Sequence, residues 1–303
     1  MPYYLRTFAG RALQIDDGDA RAIHEARRVT FARIAFEELW DMVVQNLADL
    51  ERELLTAGVD QMLFGGQSWS ESQDIRTLFA RRLANLLHSA KSYIEISQQH
   101  LRDARHGDEL IDMMKVGLST AYDAHFTYRF MEALRNYTQH RGIPVSSMHM
   151  DMRFIQDDAG EHLRYIAAAS IDPRRLIDDP KFKASVRREL AEHSKLEVNY
   201  YARCYVEQLS DTHIKVRNAS TLGTENHQSL IQSAIDRLND AATGDADFGA
   251  YIGERDANDK QIAEHALMVE PFQRLKTLHS RNGSLHRLGE RYVSGQTLGR
   301  LLR

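Results

Sequence analysis

The chain has 303 residues, 43% hydrophobic and 27% charged, with a formal charge of −4, which is ordinary for a globular protein. Five prolines and 17 glycines argue against long low-complexity disorder, and the negative net charge confines any nucleic-acid contact to a local patch. The single cysteine, Cys204, excludes an internal disulfide and a cysteine-based zinc cluster. No apolar run approaches the roughly 18 residues that a membrane helix needs. The opening "MPYYLRTFAG" lacks the apolar core of a signal peptide, so a cytoplasmic protein is expected, with no membrane partner.

In chain order, residues 1–29 read as a short N-terminal strand and turn ending at "DDGD". Helical periodicity follows. Phe31, Ile34, Ala35, Leu39, Met42, Val43, Leu47 and Leu50 form one apolar stripe, and Gly58 is expected to end it. A second helix should start at Ser70 or Ser72, with Glu71 and Asp74 suited to its positive end. A third is expected from about Asp108 to His140. These elements read as long antiparallel helices over residues 30–145, the pattern of a helical bundle.

Beyond residue 145 the pattern changes. "SSMHMDMRFIQ" and "HLRYIAAASI" flank "DDAGE", which predicts a β-hairpin. From about Pro180, "KFKASVRRELAEHSKLEVNYYARCYVEQLSDTHIKV" returns to helix. "NHQSLIQSAIDRLNDAA" and "KQIAEHALMVEPFQRLKTLHSR" predict two more helices, with "ATGDADFGAYIGERDAND" as the loop between them. The expected fold is therefore mainly α, with a β-hairpin and additional C-terminal helices over residues 146–303.

The chemistry concentrates in "ALRNYTQHRGIPV" at 133–145. Asn136 and His140 lie four apart, on one helical face. Arg135 stands five before His140 and points about 140° away in a straight helix. Two copies facing each other across a twofold axis would bring both sets together. Histidine moves protons near neutral pH, arginine grips phosphate oxygens, and asparagine can bond a phosphate or orient the histidine. A base and fixed cations around a phosphodiester point to RNA cleavage through the ribose 2′-hydroxyl. Arg129, His125 and Arg141 would add positive potential. The same residues also suit plain helix-end duty, as dipole partners and caps before Gly142 and Pro144.

Other features are weaker. His149 and Asp151 share a strand face without a third ligand, so no metal and no cofactor is expected. "NYYAR" at 199–203 suits core packing better than a base-stacking platform. The C-terminal segment carries Arg281, Arg287, Arg291, Arg300 and Arg303 against Glu290; it fits RNA or an acidic partner, or equally a solvated tail.

"RNYTQH" at the end of a long helix, preceded by an apolar helix holding "LLHSAKSYIE", resembles the HEPN superfamily. The likeness covers residues 30–145. It implies a small HEPN-like helical bundle, a homodimer, and metal-independent endoribonuclease activity in a toxin–antitoxin or phage-defence setting, with a cognate antitoxin or regulatory protein as partner. On it, Arg135, Asn136 and His140 form the catalytic set; from their charge and position alone, Arg129 and Arg141 near the helix end and Arg287 and Arg291 in the basic C-terminal segment are expected to contact RNA. The alternative is a non-catalytic module that uses the same cleft to bind a nucleotide or a protein.

Overall fold

The computed structural model describes residues 2–66, 68–104, 107–142, 145–157, 160–241 and 249–293. Among them the chain is mainly helical, with two small antiparallel sheets. It begins with β1 (Tyr3–Arg6) and β2 (Ala12–Gln14), followed by α1 (Asp17–Phe64) and α2 (Trp69–Asp103). Then come α3 (Gly107–Ala124), α4 (Phe126–Arg141), β3 (Ser147–Asp157) and β4 (Gly160–Ile171). Two short helices, α5 (Pro173–Ile177) and α6 (Ala184–Leu190), lead to β5 (Leu196–Glu197), α7 (Val198–Thr221) and α8 (His227–Ala241). The last elements are β6 (Tyr251–Arg255), β7 (Gln261–Ala266), α9 (Glu270–Arg281) and a 3₁₀ turn at Leu288–Glu290.

The first helix is longer than its central stripe predicts. Asp16 Oδ1 accepts from the Gly18 and Asp19 amides at 2.8 and 2.9 Å, satisfying donors that a helix start leaves open. Buried Ala20, Ile23, Ala26 and Val29 extend the stripe backward. At the other end Gly58 does not stop the helix; a mid-helix glycine costs only about 1 kcal/mol, and α1 runs on to Phe64. The second helix starts earlier than expected. Ser68 is its cap: Ser68 Oγ accepts from the Glu71 amide at 3.3 Å, and Glu71 returns a bond to the Ser68 amide at 2.7 Å. Those bonds hold the Glu71 carboxyl below its ordinary pKa.

The expected third helix is two helices. His125 is extended (φ −119°, ψ 119°), and the chain restarts as α4. The hairpin forms as the alternation predicts, in unbroken register from Ser147↔Ser170 to Asp157↔Gly160. Its turn residues 158–159 lie outside the described residues. The single helix expected beyond Pro180 is divided, because Leu196 and Glu197 pair with Ile171 and Ser170 of β4. The expected loop before Lys260 contains β6, and the first half of the next expected helix is β7. Asp256 turns the chain between them, its Oδ1 accepting from the Asn258 and Lys260 amides at 2.8 and 2.9 Å.

The chain forms two compact units. The first comprises residues 1–39, 94–114 and 214–283. Its sheet runs β2-β1-β6-β7, and Leu5, Ile15, Ile23, Ile231, Leu238 and Ile252 fill its core. Arg217 and Glu37 form a buried ion pair there, 7% and 1% exposed, with nitrogens at 2.8 and 2.5 Å from the two carboxylate oxygens. The second unit comprises residues 40–93, 115–213 and 284–303. It buries Trp40, Phe79, Leu83 and Tyr93 with Phe130, Met131 and Leu134 of α4 and Tyr205 of α7, and holds the sheet β3-β4-β5.

Candidate functional site at the end of α4

The inner face of α4 carries Tyr128, Phe130, Met131, Leu134 and Arg135, all buried. The cleft-lining positions of α4 are the buried Ala133 with Asn136, Tyr137 and His140, in which 133 and 137, and 136 and 140, are each about one turn apart. They line an open cleft of about 640 Å³ together with Arg141, Lys181 and Lys183. The helix stops at Gly142, whose φ of 86° is left-handed backbone that favours glycine. Its amide closes the last turn on the Thr138 carbonyl at 3.3 Å. Pro144, expected to reinforce that stop, lies outside the described residues.

Arg135 does not enter the cleft. It is 8% exposed, as its 140° offset from His140 foretells, and is paired to Glu132 at 2.8 Å. Glu132 also accepts from the buried Tyr205 hydroxyl at 2.5 Å. This environment pushes the Tyr205 phenol well above its ordinary range, through burial first and the Glu132 charge second. The Arg135 Nη2 and Nε then donate to Asn136 Oδ1 at 2.9 and 3.3 Å. A guanidinium offers only donors, so Asn136 presents its oxygen inward. Its amide nitrogen is the end available to a ligand in the cleft. Arg135 thus reaches the site through Asn136.

The cation wall comes from elsewhere. Lys181 and Lys183 belong to the segment between α5 and α6. Asp179 shapes that segment: its Oδ1 accepts from the Lys181 amide at 2.9 Å, and its Oδ2 lies 3.8 Å from Arg141 Nε. The Lys181 amide bond is the first cause holding the Asp179 carboxyl below its ordinary range. The Tyr137 hydroxyl also bonds Asp179, and the phenol is raised, chiefly by burial. Lys183 Nζ bonds the Tyr122 hydroxyl and sits 4.6 Å from its ring centre. Arg141, Lys181 and Lys183 line the cleft, and none of the described residues lining it is acidic, which favours an anionic ligand.

The other expected contacts lie apart from this cleft. Arg129 stands eleven residues before His140, about 17 Å of helical rise. Its guanidinium caps the end of α3 through the Tyr122 and Asp123 carbonyls at 2.7 and 2.8 Å, and pairs with Glu189 at 2.6 Å. His125 begins the same helix and is likewise distant. Arg287 pairs with Glu290, and Arg291 bonds the His286 carbonyl; neither lines the cleft. Arg300 and Arg303 lie outside the described residues. His149 Nε2 is bonded to Ser147 and Ser170 at 2.8 and 3.0 Å, and Asp151 to Arg153 at 2.7 Å. Tyr201 packs in the core against Phe126 and Phe130, while Tyr200 is exposed. Lys181 and Lys183 were not evident from sequence; the only local signal is "KFK" directly after Pro180.

No family model, curated protein or solved structure matches the chain.

Proposed function

We propose that this protein is a metal-independent endoribonuclease of the HEPN type, working as a homodimer with the ends of both α4 helices at its site. The observation that carries the reading is the cleft itself. His140 and Asn136 stand one turn apart, facing Arg141, Lys181 and Lys183. His140 takes the proton from a ribose 2′-hydroxyl. The 2′-oxygen attacks phosphorus, and the bond to the 5′-oxygen breaks. The leaving oxygen receives a proton from the His140 of the second copy. The products are a 2′,3′-cyclic phosphate and a 5′-hydroxyl. Arg141, Lys181 and Lys183 stabilise the charge that builds on the phosphoryl oxygens. The clamp role implied for Arg135 passes to these three cations, and Arg135 acts as a positioning residue that fixes Asn136. Under this reading α1, α2 and α4 belong to a HEPN-like bundle, and the setting is toxin–antitoxin or phage defence.

The test is incubation of purified protein with mixed RNA in the presence of a chelator. Fragments with cyclic phosphate ends support the proposal. The sequestered Arg135 favours a second reading, in which the cleft binds RNA or a nucleotide without cutting. Retarded but intact RNA would establish that second reading and end the first.

A further inference from the structure

We propose that the outer edge of β3 pairs antiparallel with the β3 of a second copy of this chain, across a twofold axis at Met152. This contact rests on observations separate from the cleft and goes beyond the reading above.

The hairpin is a long, regular arm. β3 and β4 pair over eleven residues without a shift in register, while β5 covers only Ser170 and Ile171 of β4. Most of the arm is therefore two-stranded, an arrangement of marginal stability in water by itself. β3 is the terminal strand of its sheet, and among the described residues no strand pairs with its outer edge. It contains no proline. A long, unshifted edge of this kind is a template for another strand.

Directly opposed residues share a face of the sheet. One face of the arm is apolar from Met148 to Phe154, with Met148 opposite Ala169, Met150 opposite Ala167, Met152 opposite Tyr165 and Phe154 opposite Leu163, before Gln156 and Glu161 at the tip. Ala169 is fully buried at the base, but Met152 is 49%, Phe154 70% and Leu163 41% exposed. The opposite face carries Asp151 and Arg153 on β3.

This sequence is complementary to itself in one register. With the axis at Met152, Met150 of each copy meets Phe154 of the other, and the two Met152 side chains meet each other. On the opposite face Asp151 meets Arg153 of the second copy, twice. Moving the axis to Asp151 sets carboxylate against carboxylate; moving it to Arg153 sets guanidinium against guanidinium. The Met152 register opposes aspartate to arginine twice and methionine to phenylalanine twice; an axis at Met150 opposes Asp151 only to His149. The result is a four-stranded antiparallel sheet with one continuous apolar face, formed through an isologous contact. The Ser147 ends of the two paired strands lie about 33 Å apart, so this contact does not itself bring the two α4 ends together.

The experiment is charge reversal in the full chain, read by sedimentation. Asp151→Arg alone and Arg153→Asp alone each create two like-charge pairs, and each should lower the parent's mass. The double variant should recover it. Mixing the two single variants should give a hetero-assembly, because each then supplies the charge that the other needs. In a Cys204→Ser background, Met152→Cys should crosslink to itself on mild oxidation, whereas Met150→Cys should not. Circular dichroism checks that these exposed substitutions leave the fold intact. A parent mass unchanged by either reversal, or a Met152→Cys crosslink no stronger than that of Met150→Cys, overturns the inference, including the case in which the edge receives a different protein or RNA. His140→Ala separates this contact from the proposed activity: loss of RNA cleavage with unchanged β3 association, or the converse, decides each on its own.

Discussion

At the scale of single residues, the Tyr205–Glu132–Arg135–Asn136 chain of bonds divides the work of the site. Its inner members fix geometry, and its outer members meet the ligand. His140→Ala removes an exposed side chain, so the variant should fold like the parent and lose RNA cleavage by about 10²-fold or more, as expected for removal of a general base; cyclic-phosphate end analysis checks it. If the protein acts as a toxin, the same change relieves growth arrest on expression. Lys181→Ala and Lys183→Ala should weaken RNA binding without altering sequence preference, each lowering the slope of log affinity against log salt by about 0.7. Filter binding at several salt concentrations measures this. The direction of Arg135 was legible in the helical angle separating it from His140. The lysines were not legible, because they lie forty residues further along and reach the cleft only through the Asp179-capped segment between α5 and α6.

At the scale of elements, local signals succeeded where the partner is near in sequence. The β3–β4 hairpin is visible as alternation around an Asp- and Gly-rich turn. The apolar stripes of α1 and α2 are visible at their centres, although their ends are set by caps one or more turns beyond the stripe. Ser68 illustrates the point: Ser68→Ala should lower stability by about 1 kcal/mol, measurable as a shift of the denaturant midpoint. Strands β6 and β7 were missed for a physical reason. Each is short, and Gly253 interrupts the alternation because the Tyr4 ring occupies the place of its side chain, 2.3 Å from where a Cβ would stand. Gly117 marks another close approach, where an added Cβ would stand 2.7 Å from Thr212 of α7. Thr212 is buried and β-branched, so it yields little. Gly117→Val gains little helix propensity and overpacks this contact, at a cost of about 1–3 kcal/mol. Thermal denaturation should show the loss.

At the scale of the whole molecule, each compact unit is assembled from segments remote in sequence. The first unit depends on a buried charge pair between Glu37 and Arg217, which also donates to the Asn282 carbonyl at 2.8 Å. Arg217→Met removes the bidentate partner of the buried Glu37 carboxylate and leaves it His279 at 3.4 Å, and should destabilise the protein by about 3 kcal/mol, observed as a lowered Tm. Acid acts through a second pair in that unit. Arg6 holds the Glu264 carboxyl below its ordinary range. A depressed carboxyl contributes stability above its unfolded pKa of about 4.3, and that contribution disappears as pH falls through the lower folded value. Glu264→Gln should therefore be less stable at neutral pH, with a shallower further loss in acid.

Strand β1 occupies an inner position of its sheet, joined on one side to β6, whose Glu254 lies opposite Tyr3. A ribosome adding about 5–20 residues per second delivers that neighbour only after some tens of seconds. Throughout this interval the nascent N-terminal strand has an unsatisfied flank. Vectorial synthesis thus completes this sheet only after β6 has been made, and chaperone capture of the growing chain would fall within the same window.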